Sequence, residues 1–354
     1  MKYIIRETYR DERLKRTAGV KARDDFETIA KECGYKIVEL PLLDPKLERG
    51  HLTHISVYKV WKDNLQMLKE GDSLLIQMPL LRHSIFINSL IRKLKKKVKV
   101  YALIHDLELF RIAVREGGRL RKMRTYYEEL GLLKKCDGII VHNSKMKQKL
   151  RDFGVEESKI VELGIFDYLS EAMPKDNNED RSVIIAGNLR RYKSGYVYNL
   201  PEGVRFNLYG IDYDGEQNDM ISYKGSFPPE ILPSVVEGMF GLVWDGESAD
   251  TCSGVYGDYL RINNPHKTSF YLSCGIPVLI WKEAALADFI IENGCGIVLN
   301  SLSEISAKIN NLDRTSYIKM KENANQISGK LKMGWYSRNA IEKVEKNCMR
   351  IIKE

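Results

Sequence analysis

Short apolar, β-branched runs alternate with longer amphipathic stretches along nearly all of this 354-residue chain. A series of βαβ units with parallel sheets has that signature. In the first half the pattern predicts strands at Tyr3–Ile5, Lys36–Leu40, Ser73–Gln77, Val98–Ile104, Gly138–Val141 and Ile160–Glu162. Helices are expected between them over Val20–Cys33, Ser56–Leu68, Ser84–Leu94, Leu120–Lys134 and Lys145–Phe153. Residues 171–181, EAMPKDNNEDR, carry Pro and Asn-Asn without apolar periodicity and read as a linker. A second series follows, with strands at Ser182–Ile185, Arg205–Leu208, Gly241–Val243, Pro277–Ile280 and Gly296–Leu299. Helices there are expected over Lys267–Cys274 and Ala284–Asn293, and from Ser303 onward the pattern is helical alone. The fold class is therefore α/β, two Rossmann-like doubly wound domains with ligands at the carboxyl ends of the strands and in a cleft between the halves.

Length agrees, since a domain takes roughly 100–200 residues. Hydrophobic residues at 44% and charged residues at 29% exclude a disordered or fibrous chain. Charges at Lys2, Arg6, Glu7 and Arg10 leave no apolar stretch for a signal peptide at the start, and no run of about 18 apolar residues predicts a membrane span. A cytoplasmic protein is the expectation. Six scattered cysteines without a C-x-x-C pair signal neither a zinc site nor a redox dithiol and read as buried thiols. The net charge is 56 − 48 = +8, which permits an anionic partner.

Four stretches carry candidate chemistry. Ala186-Gly187-Asn188-Leu189-Arg190-Arg191-Tyr192-Lys193 follows the first strand of the second series. A glycine turn lets backbone approach an anion there and basic residues neutralise phosphate, although an ordinary strand-to-helix turn has the same look. Asn263-Asn264-Pro265-His266-Lys267-Thr268-Ser269 opens a helix whose first-turn amides beside Lys267 suit a diphosphate. Trp244-Asp245-Gly246 lies just past an apolar strand, ahead of Cys252-Ser253-Gly254 and Gly257-Asp258-Tyr259. In the first half, Val98–Ile104 runs into His105-Asp106-Leu107-Glu108, a carboxylate beside an imidazole that fits a general base, or else a strand cap with a packed His. The stretch 17–23, TAGVKAR, places Gly19 at a helix start, positioned to close over the same cleft. Neither G-x-G-x-x-G nor a Walker motif is present.

Basic residues cluster at Arg92, Lys93, Lys95, Lys96, Lys97 and Lys99, and again at Arg111, Arg115, Arg119, Arg121, Lys122 and Arg124. The second cluster is interleaved with Ile112, Val114, Leu120 and Met123, a composition suited to an anionic membrane surface as well as to a solvated helix face. Nucleic acid is not expected, because stacking platforms and a reader motif are missing.

These motifs, in this order, resemble bacterial two-Rossmann-domain (GT-B) glycosyltransferases, above all the O-antigen galactofuranosyltransferases. The similarity runs through AGVKARDD at 18–25, LIHDLEL at 103–109, IFDYL at 165–169, AGNLRRYK at 186–193, FGLVWDG at 240–246, TCSGVYGDYLRINNPHKTSFYL at 251–272 and PVLIWKEAALADFI at 277–290. A looser relative is the group of UDP-glucose-dependent glucosyltransferases that extend GlcNAc on serine-rich adhesins. The resemblance implies an acceptor domain over 1–170, a nucleotide-sugar domain over 171–334, and a tail helix, 335–354, that crosses back onto the first. It implies that Arg191 and Lys267 bind the diphosphate of a UDP-sugar. Gly187, Asn188, Lys193, Tyr209, His266, Thr268 and Ser269 would complete the nucleotide pocket, with Gly19 approaching the phosphate. His105 and Asp106 would face the acceptor.

The expected activity is hexosyl transfer, galactofuranose from UDP-galactofuranose to a cell-surface glycan, inverting, with Asp106 as base and Asp245 as second choice. No metal or other cofactor is expected, because Asp212-Tyr213-Asp214, the one D-x-D string, is flanked by Gly210 and Gly215 and reads as a turn. UDP-glucose is the alternative donor, and a non-catalytic UDP-sugar-binding scaffold is the competing class. The acceptor is a glycan, lipid-linked or free, and membrane contact and homo-oligomer formation stay open.

Overall fold

A computed structural model describes residues 1–8, 18–41, 52–82, 84–112, 118–172 and 181–351. Thr17, Val114, Arg115, residues 173–180 of the predicted linker and the last three residues of the predicted tail lie outside them. The described residues fall into two compact units, one built from 1–8, 23–163 and 337–351 and the other from 18–22 and 164–336.

The first unit takes its elements in the order β1 (Lys2–Glu7), α1 (Ala18–Glu32), β2 (Tyr35–Leu40), α2 (Leu52–Leu65), β3 (Ser73–Met78), α3 (Ile87–Leu94) and β4 (Lys99–Ile104). α4 (Glu108–Ile112), α5 (Arg119–Thr125), a π-turn (Tyr126–Leu130), α6 (Gly131–Leu133), β5 (Gly138–Val141), α7 (Ser144–Asp152) and β6 (Ile160–Glu162) complete it. Its sheet runs β2-β1-β3-β4-β5-β6 with every pairing parallel. Period-two sets such as Leu74/Ile76 and Val100/Ala102/Ile104 pack with Trp61, Leu90 and Ile91 of α2 and α3, while Leu75, Tyr101 and Leu103 are buried on the opposite face. Such near-continuous apolar strands are what made the pattern readable.

The second unit contains β7 (Val183–Asn188), α8 (Arg191–Ser194), β8 (Phe206–Ile211), β9 (Ile221–Gly225), α9 (Leu232–Val235), β10 (Phe240–Val243), α10 (Gly254–Tyr259) and α11 (His266–Ser273). β11 (Val278–Trp281), α12 (Ala287–Glu292), β12 (Gly296–Leu299), α13 (Ile305–Asn310) and α14 (Arg314–Lys332) follow, and α15 (Trp335–Ile351) ends the description. Its parallel sheet runs β12-β11-β10-β7-β8-β9, the order 3-2-1-4-5-6 in the unit's own count. The two sheets, each flanked by helices, make the GT-B pair of Rossmann-like folds. From Ser337 onward α15 belongs to the first unit, where Glu345 accepts from Lys2 Nζ and Tyr35 Oη, both at 2.7 Å.

Two differences from the sequence pattern have physical causes. β9, ISYKG, was not expected: it is an edge strand whose residues are all half-buried or exposed, so it carries no apolar run, and a bulge breaks its register at Leu208/Tyr209. The helix expected over 120–134 is present as one continuous run, α5, a π-turn and α6, and the difference is the wider turn at Tyr126–Leu130. Asn88 Nδ2 donates to the Tyr127 carbonyl at 2.6 Å, replacing an intrahelical partner, and the wide turn points Glu129 into the interior. No described helix is long and apolar enough to cross a membrane.

Candidate functional site

In the second unit the strand order reverses between β7 and β10, and the carboxyl ends of those two strands are where an open α/β sheet binds ligands. α11 is held there by one side chain. Tyr271 lies flat over β10, a fit that requires Gly241, since a Cβ on Gly241 would sit 2.1 Å from the Tyr271 ring. The Tyr271 hydroxyl accepts the Ala186 N–H of β7 at 2.8 Å, so the helix spans both strands and its first turn arrives at their ends. Lys267 Nζ, in that turn, donates to Asp245 Oδ1 at 2.8 Å and to the Trp244 carbonyl at 2.9 Å. Both side chains of this pair are largely buried, and an ammonium has three donors, which leaves one N–H beyond these two contacts. The amides of His266 and Lys267 precede any intrahelical acceptor, whereas the Thr268 N–H donates to the Pro265 carbonyl at 2.9 Å.

After β7, Gly187 adopts φ 139° and Asn188 Oδ1 accepts the Arg190 N–H at 3.0 Å, which sets the turn into α8. The arginines beyond it are exposed and paired. Arg190 meets Asp212 at 2.7 Å, and Arg191 meets Asp214 at 3.3 Å while its guanidinium stacks 3.8 Å over the Tyr198 ring. Tyr198, Tyr213 and Tyr223 continue the stack, and Lys193 lies 5.6 Å over Tyr256. In the Asp212-Tyr213-Asp214 string the two carboxylates each face an arginine.

The structure separates the other predicted residues of this site. Thr268 and Ser269 are fully buried in α11, and the Thr268 N–H is taken by the Pro265 carbonyl at 2.9 Å. His266 lies against the rings of Tyr168, at 5.2 Å, and Phe166, at 6.2 Å. Burial, and then the Lys21 ammonium, lower its pKa to about 3 against the main chain of Asp167, so it is neutral at physiological pH. Tyr209 is buried, its hydroxyl accepting the Glu237 N–H at 3.0 Å. Gly19 opens α1 with clear space where a Cβ would be. Two residues on, Lys21 donates to the Leu169 carbonyl at 2.6 Å and sits 4.7 Å over Tyr168, which ties the start of α1 to the His266 side of α11. Lys21 was not singled out by the sequence; its partner lies 148 residues away.

In the first unit, His105 and Asp106 follow β4, and a buried polar chain reaches back from the imidazole. Arg6 donates to Glu27, Gln77 Nε2 donates to Glu27 Oε1 at 2.9 Å, and Gln77 Oε1 faces His105 Nε2 at 2.7 Å. A carboxylate accepts only, so it fixes the Gln77 amide; the amide oxygen then obliges His105 to donate from Nε2. A neutral His105 carries its lone pair on Nδ1.

Asp106 Oδ1 pairs with Arg111 Nη2 at 2.7 Å and is one-third exposed. Beneath it, Glu129 of the π-turn accepts the amides of Glu108, at 3.1 Å, and Leu109, at 2.9 Å, at the start of α4. Burial raises the Glu129 carboxyl to about 7 against those two amide bonds, with the charges of Glu108 and Asp106 adding to the rise. Asp106 therefore sits on a loop fastened by an acid that titrates near neutrality. Among the described residues no group of three His, Cys, Asp or Glu side chains is placed to hold a metal ion.

Comparisons with known proteins agree with this pair of folds. The model of the glucosyltransferase 3-like N-terminal domain matches residues 2–165, and that of the C-terminal domain matches residues 183–344. The chain is 37% identical over 336 residues to the β-1,6-galactofuranosyltransferase WbbI of Escherichia coli K12, covering 93% of this chain and 95% of the relative. It is 26% identical over 280 residues to glucosyltransferase 3 of Streptococcus parasanguinis, covering 77% and 78%. Among solved structures, Anabaena HepE in complex with UDP and glucose superposes with a TM-score of 0.55 at 11% identity, covering 98% of this chain and 99% of that one.

Proposed function

The chain belongs to the glucosyltransferase 3-like family of glycosyltransferases, and from that premise we propose that it transfers galactofuranose from UDP-galactofuranose to a glycan acceptor, with inversion and without a metal. The observation that carries the nucleotide-diphosphate part is Lys267 in the first turn of α11, at the strand-order reversal of the second unit. The 37% identity to a galactofuranosyltransferase along nearly the full chain supports the choice of sugar.

In this mechanism Lys267, Arg191 and the α11 amides take up the negative charge that develops on the departing UDP. Asp245, largely buried against the ammonium, serves as the carboxylate that holds Lys267, while Asp106 keeps about a third of its side chain exposed beside Arg111. Asp106 accepts the proton of the acceptor hydroxyl as that oxygen attacks the anomeric carbon and the bond to UDP breaks. Asp212 and Asp214, each facing an arginine, have the chemistry of charge-balanced pairs, which supports leaving-group stabilisation by cations of the protein itself.

UDP-glucose is the second reading, favoured by the family match and the streptococcal relative. A panel of UDP-galactofuranose, UDP-galactopyranose, UDP-glucose and UDP-GlcNAc, assayed for UDP release in EDTA, tests both. Preferential release from the furanose donor is the expected result. Preference for UDP-glucose moves the protein to the second reading, dependence on added metal removes the metal-independent mechanism, and binding without release even with acceptors present makes the protein a scaffold.

A further inference from the structure

α5 differs from the basic run 92–99 in what it does with its apolar residues. In the run 92–99 the charges point outward while Leu94 and Val98 are buried, an ordinary solvated face. In α5 no residue is buried. Leu120 is 82% exposed and Met123 61%, and Tyr127, in the π-turn that follows, is 45% exposed. At helical spacing Leu120, Met123 and Tyr127 share one stripe, as positions i, i+3 and i+7. Arg119, Arg121, Lys122 and Arg124 surround that stripe, and α5 contains no acid. Of the two acids that follow, Glu128 pairs with Arg124 at 2.9 Å and Glu129 is buried on the α4 amides, so the net charge of the outer face is carried by Arg119, Arg121 and Lys122.

A helix that keeps a leucine and a methionine in water while surrounding them with four cations is complementary to a surface with anionic groups above an apolar layer. We propose that α5 and the π-turn dock on an anionic lipid bilayer, with Leu120, Met123 and Tyr127 entering the acyl boundary. The flanking cations reach the lipid phosphates along stems that cover the stripe. This inference is independent of which sugar the enzyme transfers. A docking helix in the first unit, which also carries Asp106, suits an acceptor that is itself anchored in lipid.

Flotation of the full chain with vesicles of phosphatidylcholine, and of phosphatidylcholine with phosphatidylglycerol, tests it. Binding to the anionic vesicles alone is expected, weakened by high salt because exposed charges are screened. Leu120→Ser with Met123→Ser should lower vesicle affinity about tenfold or more. Arg121→Gln with Lys122→Gln should lower it about 25-fold at low salt, at about fivefold per cation. Since α5 buries nothing, both double variants should keep the wild-type circular dichroism spectrum and turn over a soluble acceptor at the wild-type rate. No binding to anionic vesicles, equal binding to both compositions, or unchanged binding by the folded variants overturns the proposal. So does a wild-type dimer that the apolar double variant dissociates while vesicle binding is absent, since the stripe then covers a second copy. A wild-type chain that turns over acceptor without binding anionic vesicles counts against the lipid surface alone, whereas one that docks on vesicles without turnover counts against the enzymatic reading.

Discussion

The two units build polar ends on nearly the same sheet by opposite means. In the second, at the reversal between β7 and β10, the polar end is an ion pair, Lys267 with Asp245, backed by helix amides and flanked by arginines. In the first, the ends of β3 and β4 carry a chain of hydrogen bonds, from Arg6 through Glu27 and Gln77 to His105, beside a loop clamped by Glu129. One arrangement fixes charge and the other fixes where protons are. The contrast teaches that a doubly wound sheet dictates where ligands arrive, while the residues just past the strands decide whether the site holds an anion or manages a proton.

That division can be broken from either side. Asp106→Asn should have the largest effect, lowering turnover by about 10²- to 10⁴-fold as general-base catalysis is removed. Titration calorimetry with UDP should give an unchanged affinity, and a weakened affinity would dissolve the distinction between the units. Lys267→Ala comes next. It leaves Asp245 buried without its partner, so thermal unfolding should show a loss of about 3–5 kcal/mol together with weaker UDP binding. Adding Asp245→Asn should recover most of the stability and none of the affinity; recovery of both would make the pair structural only.

Glu129→Gln probes the clamp. A carboxyl whose folded value is raised to about 7 from an ordinary 4.5 stabilises the fold in its protonated form, so its contribution is full in acid and is lost as pH rises through that window. Denaturation from pH 4.5 to 8 should show wild-type stability falling relative to the glutamine variant, by at most about 1.4 kcal/mol per pH unit. Parallel curves would remove Glu129 from the proton inventory. The smallest effect on stability, about 1 kcal/mol, is expected from Gln77→Leu, which cuts the chain to His105. Its signature is spectroscopic: nitrogen NMR of the imidazole should show a single Nε2–H tautomer in the wild type and a mixture in the variant. A mixture in both would mean that the chain does not set the ring.

Much of this was legible from residues alone. Buried parallel strands are apolar on both faces, so β3, β4, β5 and β11 declared themselves, and Pro265 before a polar helix start marked the first turn of α11. What escaped notice depends on partners distant in sequence. Nothing near Gln77 predicts His105, 28 residues on, and nothing near Lys21 predicts Tyr168. Arg191 reads as a cation waiting for phosphate, yet Asp214 and Tyr198 already hold it, because β8 returns that segment beside β7. The π-turn was hidden for a related reason: its sequence is good helix, and only Asn88 from α3 makes the wider geometry tolerable.

The Tyr271 hydroxyl on the Ala186 amide has a dynamic consequence. An amide capped by a buried phenol on another element exchanges its hydrogen only when that element lifts away. Ala186 therefore reports the opening of α11 itself, and the helix start cannot shift to meet a ligand without loosening the strand beside it. Adaptation at this end of the sheet falls to the exposed side chains of α8, leaving the amides of α11 as a preset frame.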